Sequence, residues 1–265
     1  MQSIQQLIKI MRALRDPESG CPWDLKQDFQ SLIPYTIEEA YEVADAIERK
    51  NLADIKSELG DLLFQIVFYS QLATEQHAFD FNDVAQAISD KLTRRHPHVF
   101  ANEKIKNAEE QTKEWERLKQ QERKIKAGKN ADTLSHLDDV SRTLPSLMRA
   151  EKLQKRAARE GFDWPNIKGV IAKVYEELEE VQQELDAKEQ EHTKLEDEIG
   201  DLFFSCINLS RHAGVNAEQS LRKANLKFER RFRALEKIAI SKNLHINKMT
   251  TDELELLWDE VKEQE

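Results

Sequence analysis

Two short acidic patterns, each written twice, are the residues of this 265-residue chain whose types and spacing point to chemistry. Glu38, Glu39 and Glu42 form E-E-x-x-E, and Glu176, Glu177 and Glu180 form it again. After a polar break, Glu58 and Asp61 sit in E-L-G-D, and Glu198 and Asp201 sit in E-I-G-D. Residues three or four apart share a helix face, so Glu39 projects with Glu42 and Glu58 with Asp61. Two such helices packed antiparallel would bring four carboxylates to one spot, and Glu177, Glu180, Glu198 and Asp201 would repeat the arrangement. Bare like charges at that density force some groups to protonate, and divalent cations relieve the repulsion. All-oxygen ligation suits Mg²⁺, with Mn²⁺ as a substitute, better than zinc. One acidic helix alone would read as a solvated face. The recurrence favours a metal site, as do Gly60 and Gly200, which sit mid-helix at an intrinsic cost of roughly 1 kcal/mol each. Both glycines are expected to mark a close helix approach beside the carboxylates.

Cations stand at helical spacing nearby. Lys91 with Arg95, and Lys227 with Arg231, are i, i+4 pairs, while Lys173 lies one turn before Glu177 in the second copy alone. Positive charge beside a carboxylate–metal cluster suits a polyphosphate; the competing reading is surface ion pairing. His96 and His98, in R-R-H-P-H-V-F, either touch an anion or play a structural part after Pro97 ends the helix. Trp23 and Trp164 read as packing residues or as surfaces for a base, and Trp258 either docks the last helix or stacks on a ligand. Glu189 with His192 makes a Glu-x-x-His without the facing partner a di-iron site needs. There is no P-loop, no G-x-G-x-x-G and no Cys/His zinc spacing.

The elements that must position these groups are also duplicated. Residues 34–64 parallel residues 174–204, Gly20-Cys21-Pro22-Trp23 parallels Gly161-Phe162-Asp163-Trp164, and Lys91 to Arg95 parallels Lys227 to Arg231. With E-E-x-x-E and E-x-G-D counted separately inside the longest stretch, four elements in one order make a tandem duplication. Leu, Ala, Glu, Lys and Gln dominate over strand formers, so the fold class is all-α, with two helical-bundle repeats. A helix capped by Asn82 or Asp83 is expected to carry Lys91 and Arg95. The spacing places a first repeat at 1–100, an exposed charged helix ending near Gly128 and a linker over 101–145, and a second repeat at 146–265. A net charge of −10 argues against nucleic acid or an anionic membrane as partner. Two cysteines, Cys21 and Cys206, and an N-terminus without a continuous apolar run favour a reducing, cytoplasmic setting. Apolar side chains such as Leu62, Phe64, Ile66 and Phe68 exceed what a short bundle covers, which predicts a homodimer.

The run GCPWD…TIEEAYE…ELGDLLFQIVF…ISDKLTRRHPHVF and its second copy resemble MazG proteins along essentially the whole chain. The resemblance implies the all-α nucleoside triphosphate pyrophosphohydrolase fold, with bundles completed by dimerisation. It also implies Mg²⁺-dependent cleavage of nucleoside triphosphates to monophosphate and pyrophosphate, with a broad or non-canonical preference and a role in cleansing the nucleotide pool. Carried onto this chain, Glu177, Glu180, Glu198 and Asp201 would bind metal, with Glu39, Glu42, Glu58 and Asp61 as first-repeat equivalents. Glu176, or Glu38, would hold the attacking water or a ligand. Lys173, Lys194, Asp197, Lys227, Arg231 and Trp258 would contact the nucleotide, with Lys91 and Arg95 as counterparts. Repeat one departs from this set: Tyr35 stands in place of Lys173, and Asp54 near the place of Lys194. The alternatives are a non-catalytic module that binds metal or nucleotide, and a pyrophosphatase restricted to one nucleotide such as dUTP or dCTP.

Overall fold

The computed structural model describes residues 2–101, 107–128 and 135–264, and among them every regular element is helical. The chain divides into two compact units, Met1–Lys126 and Ala127–Glu265.

Unit one holds α1 (Gln2–Leu14), the short α2 (Pro22–Leu25), α3 (Ile33–Glu48), α4 (Leu52–Glu75), α5 (Phe81–Arg95), the short α6 (Pro97–Phe100) and α7 (Ala108–Ala127). Asn51 starts α4 by accepting from the backbone N–H of Ala53 at 3.1 Å, so the chain folds straight back along α3. The buried core is Met11, Leu32, Val67, Phe68 and Leu72, with Phe29, Phe64 and Tyr69 packed against it. The Arg15 guanidinium lies 5.6 Å from the Phe68 ring centroid and forks onto Glu75 at 2.7 and 2.6 Å. Two expectations fail here. The cap of α5 is Asp80, in a reciprocal capping box with Asp83, because this pairing satisfies two free N–H groups at once. Phe68 offers no surface to a partner, since it is fully buried, while Ile66 on the other side of α4 is 40% exposed.

Helix α7 is held against the end of α5: the Trp115 indole N–H donates to the Arg95 carbonyl at 3.0 Å, and Arg94 and Arg95 both donate to Glu122. The expected end near Gly128 holds, since α7 stops at Ala127 and Gly128 takes φ 55°. Part of the expected charged helix and linker, residues 102–106 and 129–134, lies outside the described residues.

Unit two holds α8 (Ser146–Arg159), α9 (Ile167–Asp186), α10 (His192–His212), α11 (Ala217–Ser241), a 3₁₀ turn (Ile246–Lys248) and α12 (Thr251–Glu263). Asn166 and Asn216 cap α9 and α11, and Thr250 with Glu253 forms a capping box on α12. Ala150, Ile207 and Ala217 form one small core, and Leu235, Ala239, Leu257 and Val261 form another. Trp258 packs on the second, 5.5 Å from the Phe228 ring, so it docks α12 onto α11. Asp163 is clamped by Arg211, at 2.9 Å through one nitrogen, and by His212 Nε2 at 2.8 Å. The Arg211 pair first, opposed by partial burial and aided by His212, holds the Asp163 carboxyl down to about 2.

Among the described residues, no helix is long and apolar enough to cross a membrane.

Candidate functional site

In each unit the hairpin of two long helices sets the acidic residues against one another. In unit one, carboxylate oxygens of Glu39 on α3 and of Glu58 and Asp61 on α4 lie within 4.8 Å of one another. Burial first, then the charges of Asp61, Glu42, Glu58 and Glu38, push the Glu39 carboxyl above its usual range. Desolvation and the charges of Glu42, Asp61 and Asp54 push Glu58 the same way, with Arg49 opposing. In unit two the corresponding group is Glu177 and Glu180 on α9 with Glu198 on α10, under the same 4.8 Å limit. Glu177 is only 4% exposed. Glu180 is raised by burial, by a hydrogen bond shared with Glu177 and by the charges of Glu177 and Glu198, with Lys173 opposing.

Four carboxylates were expected in each cluster, and three converge tightly. Glu42 lies outside the first group, though close enough to raise both Glu39 and Glu58, and Asp201 lies outside the second. Both are exposed, and mutual repulsion favours leaving the fourth charge in water. Three hard oxygen donors converging from two helices, with carboxyls pushed toward protonation, fit a divalent cation of the Mg²⁺ type.

The cations part company between the units. Lys173 Nζ donates to Glu176 at 2.7 Å and pairs with Glu177 at 2.8 Å, and these bonds raise its pKa. It is therefore part of the second carboxylate cluster. At the same register in unit one, Tyr35 packs edge-on against Trp23, with ring centroids 5.6 Å apart. Arg95 is occupied by Glu122, whose carboxyl the Arg95 and Arg94 bonds hold down to about 2. Lys91 is exposed on α5. Lys194 Nζ pairs with Glu191 at 3.0 Å at the start of α10, one turn before exposed Asp197. Lys227 is exposed and Arg231 half-buried on α11, with Phe228 and Trp258 beside them. Glu38 is exposed next to Glu39, and Glu176 is exposed next to Glu177.

His96 lies against Trp115, with centroids 5.2 Å apart, and its Nδ1 is 2.7 Å from the Leu92 carbonyl, which gives it a structural place behind α5. The close helix approach expected at Gly60 and Gly200 is absent from the described residues. A Cβ built at either would meet nothing within 4 Å, because both glycines face outward on their hairpins.

Sequence reasoning passed over Glu122, Asp163 and Arg211. Each acts through a partner 27 or more residues away, and no local pattern announces such a pairing.

The family model for the MazG nucleotide pyrophosphohydrolase domain matches residues 27–100 and again 166–235, the two stretches that contain the clusters. A nucleoside triphosphate pyrophosphohydrolase of Escherichia coli K12 is 51% identical over all 265 residues and 99% of its own length. The nucleoside triphosphate pyrophosphohydrolase/pyrophosphatase MazG of Thermotoga maritima is 41% identical over 97% of this chain and 95% of its own. A crystal structure of a mazG-related protein from Thermotoga maritima aligns at TM-score 0.37 with 31% identity, over 43% of this chain and 97% of that one. With two family matches covering more than half of its length and a relative of this identity along all of it, the chain belongs to the MazG nucleotide pyrophosphohydrolase family.

Proposed function

We propose that the second unit hydrolyses nucleoside triphosphates to monophosphate and pyrophosphate with Mg²⁺ as cofactor, Mn²⁺ substituting, and that the first unit binds metal with little or no turnover. The observation that carries this is Lys173, seated at 2.7 and 2.8 Å on Glu176 and Glu177 beside a three-carboxylate cluster. Glu177, Glu180 and Glu198, joined by Asp201, would hold the cation. When bound, such an ion neutralises phosphate charge and acidifies a water.

The rest falls to the chain's own groups. Lys173 turns from Glu176 toward the phosphate oxygens and meets the charge that builds as the α–β bridge breaks. A fixed cation or donor at that place is worth around 3 kcal/mol, about a hundredfold in rate. Glu176, freed from the lysine, takes the proton of the attacking water. Lys194 and Asp197 on α10 and Lys227 and Arg231 on α11 orient the nucleotide. Trp258 keeps α11 and α12 together and so acts on the ligand through Phe228 and Lys227.

For the first unit the non-catalytic reading is favoured by one observation: Tyr35 packs on Trp23 where a lysine is needed. The chain works as a cytoplasmic homodimer on a nucleotide pool, canonical and non-canonical, with neither nucleic acid nor membrane as partner. Exposed apolar residues on α10 and α11, among them Phe203 and Phe228 at 61% and 59%, support the dimer. The test is product identity. Purified protein with Mg²⁺ and a panel of triphosphates should release pyrophosphate, and EDTA should stop it; release of orthophosphate and a diphosphate would overturn the assignment.

A further inference from the structure

The E-x-G-D motifs place the two hairpins on one register, in which Phe64 of α4 corresponds to Phe204 of α10 and Phe68 to Asn208. In unit one Phe68 is wholly buried and fills the space beneath α1. In unit two the same register carries an amide, and a cavity of about 600 Å³ remains between α8, α10 and the turn that follows α8. That volume lies within the range of small-molecule sites.

The walls are aromatic and open. Phe162, Trp164 and Phe204 line the cavity, and they are 83%, 45% and 43% exposed. Trp164 has a dedicated seat: its ring lies over Gly169 on α9, where a Cβ would meet ring carbon Cε3 at 2.7 Å. Polar groups enter at chosen points. Gln154 is 7% exposed and donates through Nε2 to the Phe204 carbonyl at 2.8 Å, while its buried Oε1 has no partner. Arg211 donates to Asn208 Oδ1 and to Asp163, so the charges at the rim already answer one another. Flat apolar walls, an unused buried acceptor and a neutralised rim select a planar, uncharged ring that carries an N–H donor.

We infer that this cavity binds a nucleobase. Phe204 follows Glu198 by six residues, about 9 Å along the helix axis, so the base arrives either as a free nucleoside or on a nucleotide whose phosphates lie at the carboxylates. The second source rests on the proposed hydrolytic reading; the first does not.

The experiment titrates adenosine and cytidine calorimetrically into the full chain without metal. It compares the wild type with Asn208→Phe, which restores the ring that unit one carries, and with Leu153→Phe, which fills the cavity from α8. Saturable binding that weakens about tenfold or more in both variants, about 1.4 kcal/mol, with the helical circular dichroism retained, is the expected result. The proposal is overturned by absence of binding at millimolar nucleoside, by equal binding in all three proteins, or by variants that change only the mass in solution, which would make the cavity a seat for a second copy. Turnover with Mg²⁺ then separates the sources. A tenfold rise in KM with kcat held assigns the cavity to the substrate's own base, and an unchanged KM assigns it to a separate nucleoside. A chain that turns over no triphosphate removes the hydrolytic reading but leaves the metal-free titration decisive for the cavity.

Discussion

Units one and two start from one duplicated pattern and end with different interiors. Unit one closes around Phe68, Met11 and Leu32 and keeps an acidic cluster with Tyr35 at the register that Lys173 holds in unit two. Unit two leaves a cavity at the matching register and draws Lys173 into its cluster. Full burial of an aromatic ring is among the larger stabilising contributions a small bundle can have. A half-buried amide beside an open cavity contributes much less to folding but makes room for a ligand. On the proposed reading the copies have divided their work: one carries packing, and the other would carry the features that recognise and stabilise a phosphorylated ligand.

The largest way to break this comparison is to hollow out the packed unit. Phe68→Ala should cost about 3–5 kcal/mol, the range for deleting a buried aromatic ring. Asn208→Ala, at the same register of unit two, should cost under about 1 kcal/mol, since no core volume is removed. Urea denaturation followed by circular dichroism measures both, and equal losses would erase the contrast.

Next in size is the contrast in chemistry. Glu180→Gln should lower kcat by at least about a hundredfold, in line with losing a group that acts on developing charge. Glu42→Gln, its counterpart in unit one, should leave most of the rate. Equal halving by each would mean both clusters work. Lys173→Tyr, which writes the unit-one residue into unit two, should cost on the order of ten- to a hundredfold in kcat with the fold intact. A rate within twofold of wild type would remove the lysine from the mechanism.

A smaller effect sharpens the comparison through pH. Each unit has a carboxylate that arginine holds down to about 2: Glu122, from its ordinary 4.5, and Asp163, from 3.8. Both folded values lie below the unfolded ones, so each contribution is complete above pH 4.5 or 3.8 and fades as pH falls toward 2. Stability should therefore drop between pH 4.5 and 2, and Glu122→Gln or Asp163→Asn should flatten part of that drop. A wild-type profile already flat over this interval would show that neither clamp contributes.

The sequence made the helices, the duplication and the pairing of acidic motifs legible because these rest on periods of three to four residues and on a motif that recurs, though it read four carboxylates per cluster where three converge. It also exposed the Tyr35 and Lys173 difference, since aligned copies reveal a substitution directly. What stayed hidden depends on distance along the chain. Glu122 reaches Arg94 and Arg95 from a helix that read as exposed and charged, and Gln154 meets the Phe204 carbonyl 50 residues away. The cavity was invisible for the same reason, as an empty space has no residue type to mark it. Asp80 won the α5 cap from its neighbours because only it can pair reciprocally with Asp83.

The smallest prediction concerns the two glycines that both copies keep. Gly60 and Gly200 lie inside α4 and α10 with ordinary helical backbone, and a Cβ at either touches nothing in the described chain. If the isolated fold were all that mattered, Gly60→Ala and Gly200→Ala should each raise stability by about 0.5–1 kcal/mol, because alanine loses less backbone freedom in a helix. That gain is the expected outcome for both, read as a shift in the urea midpoint. The contrast between units enters through a second readout. Gly60 directly precedes Asp61 of its cluster, and Gly200 directly precedes Asp201, the fourth ligand of the proposed site, so a methyl group at Gly200 stands where a phosphate chain would approach that site. Gly200→Ala should therefore raise KM while Gly60→Ala leaves turnover unchanged. A loss of stability in either variant would mean that the helix surface is already covered, and the outward-facing placement of both glycines would have to be abandoned.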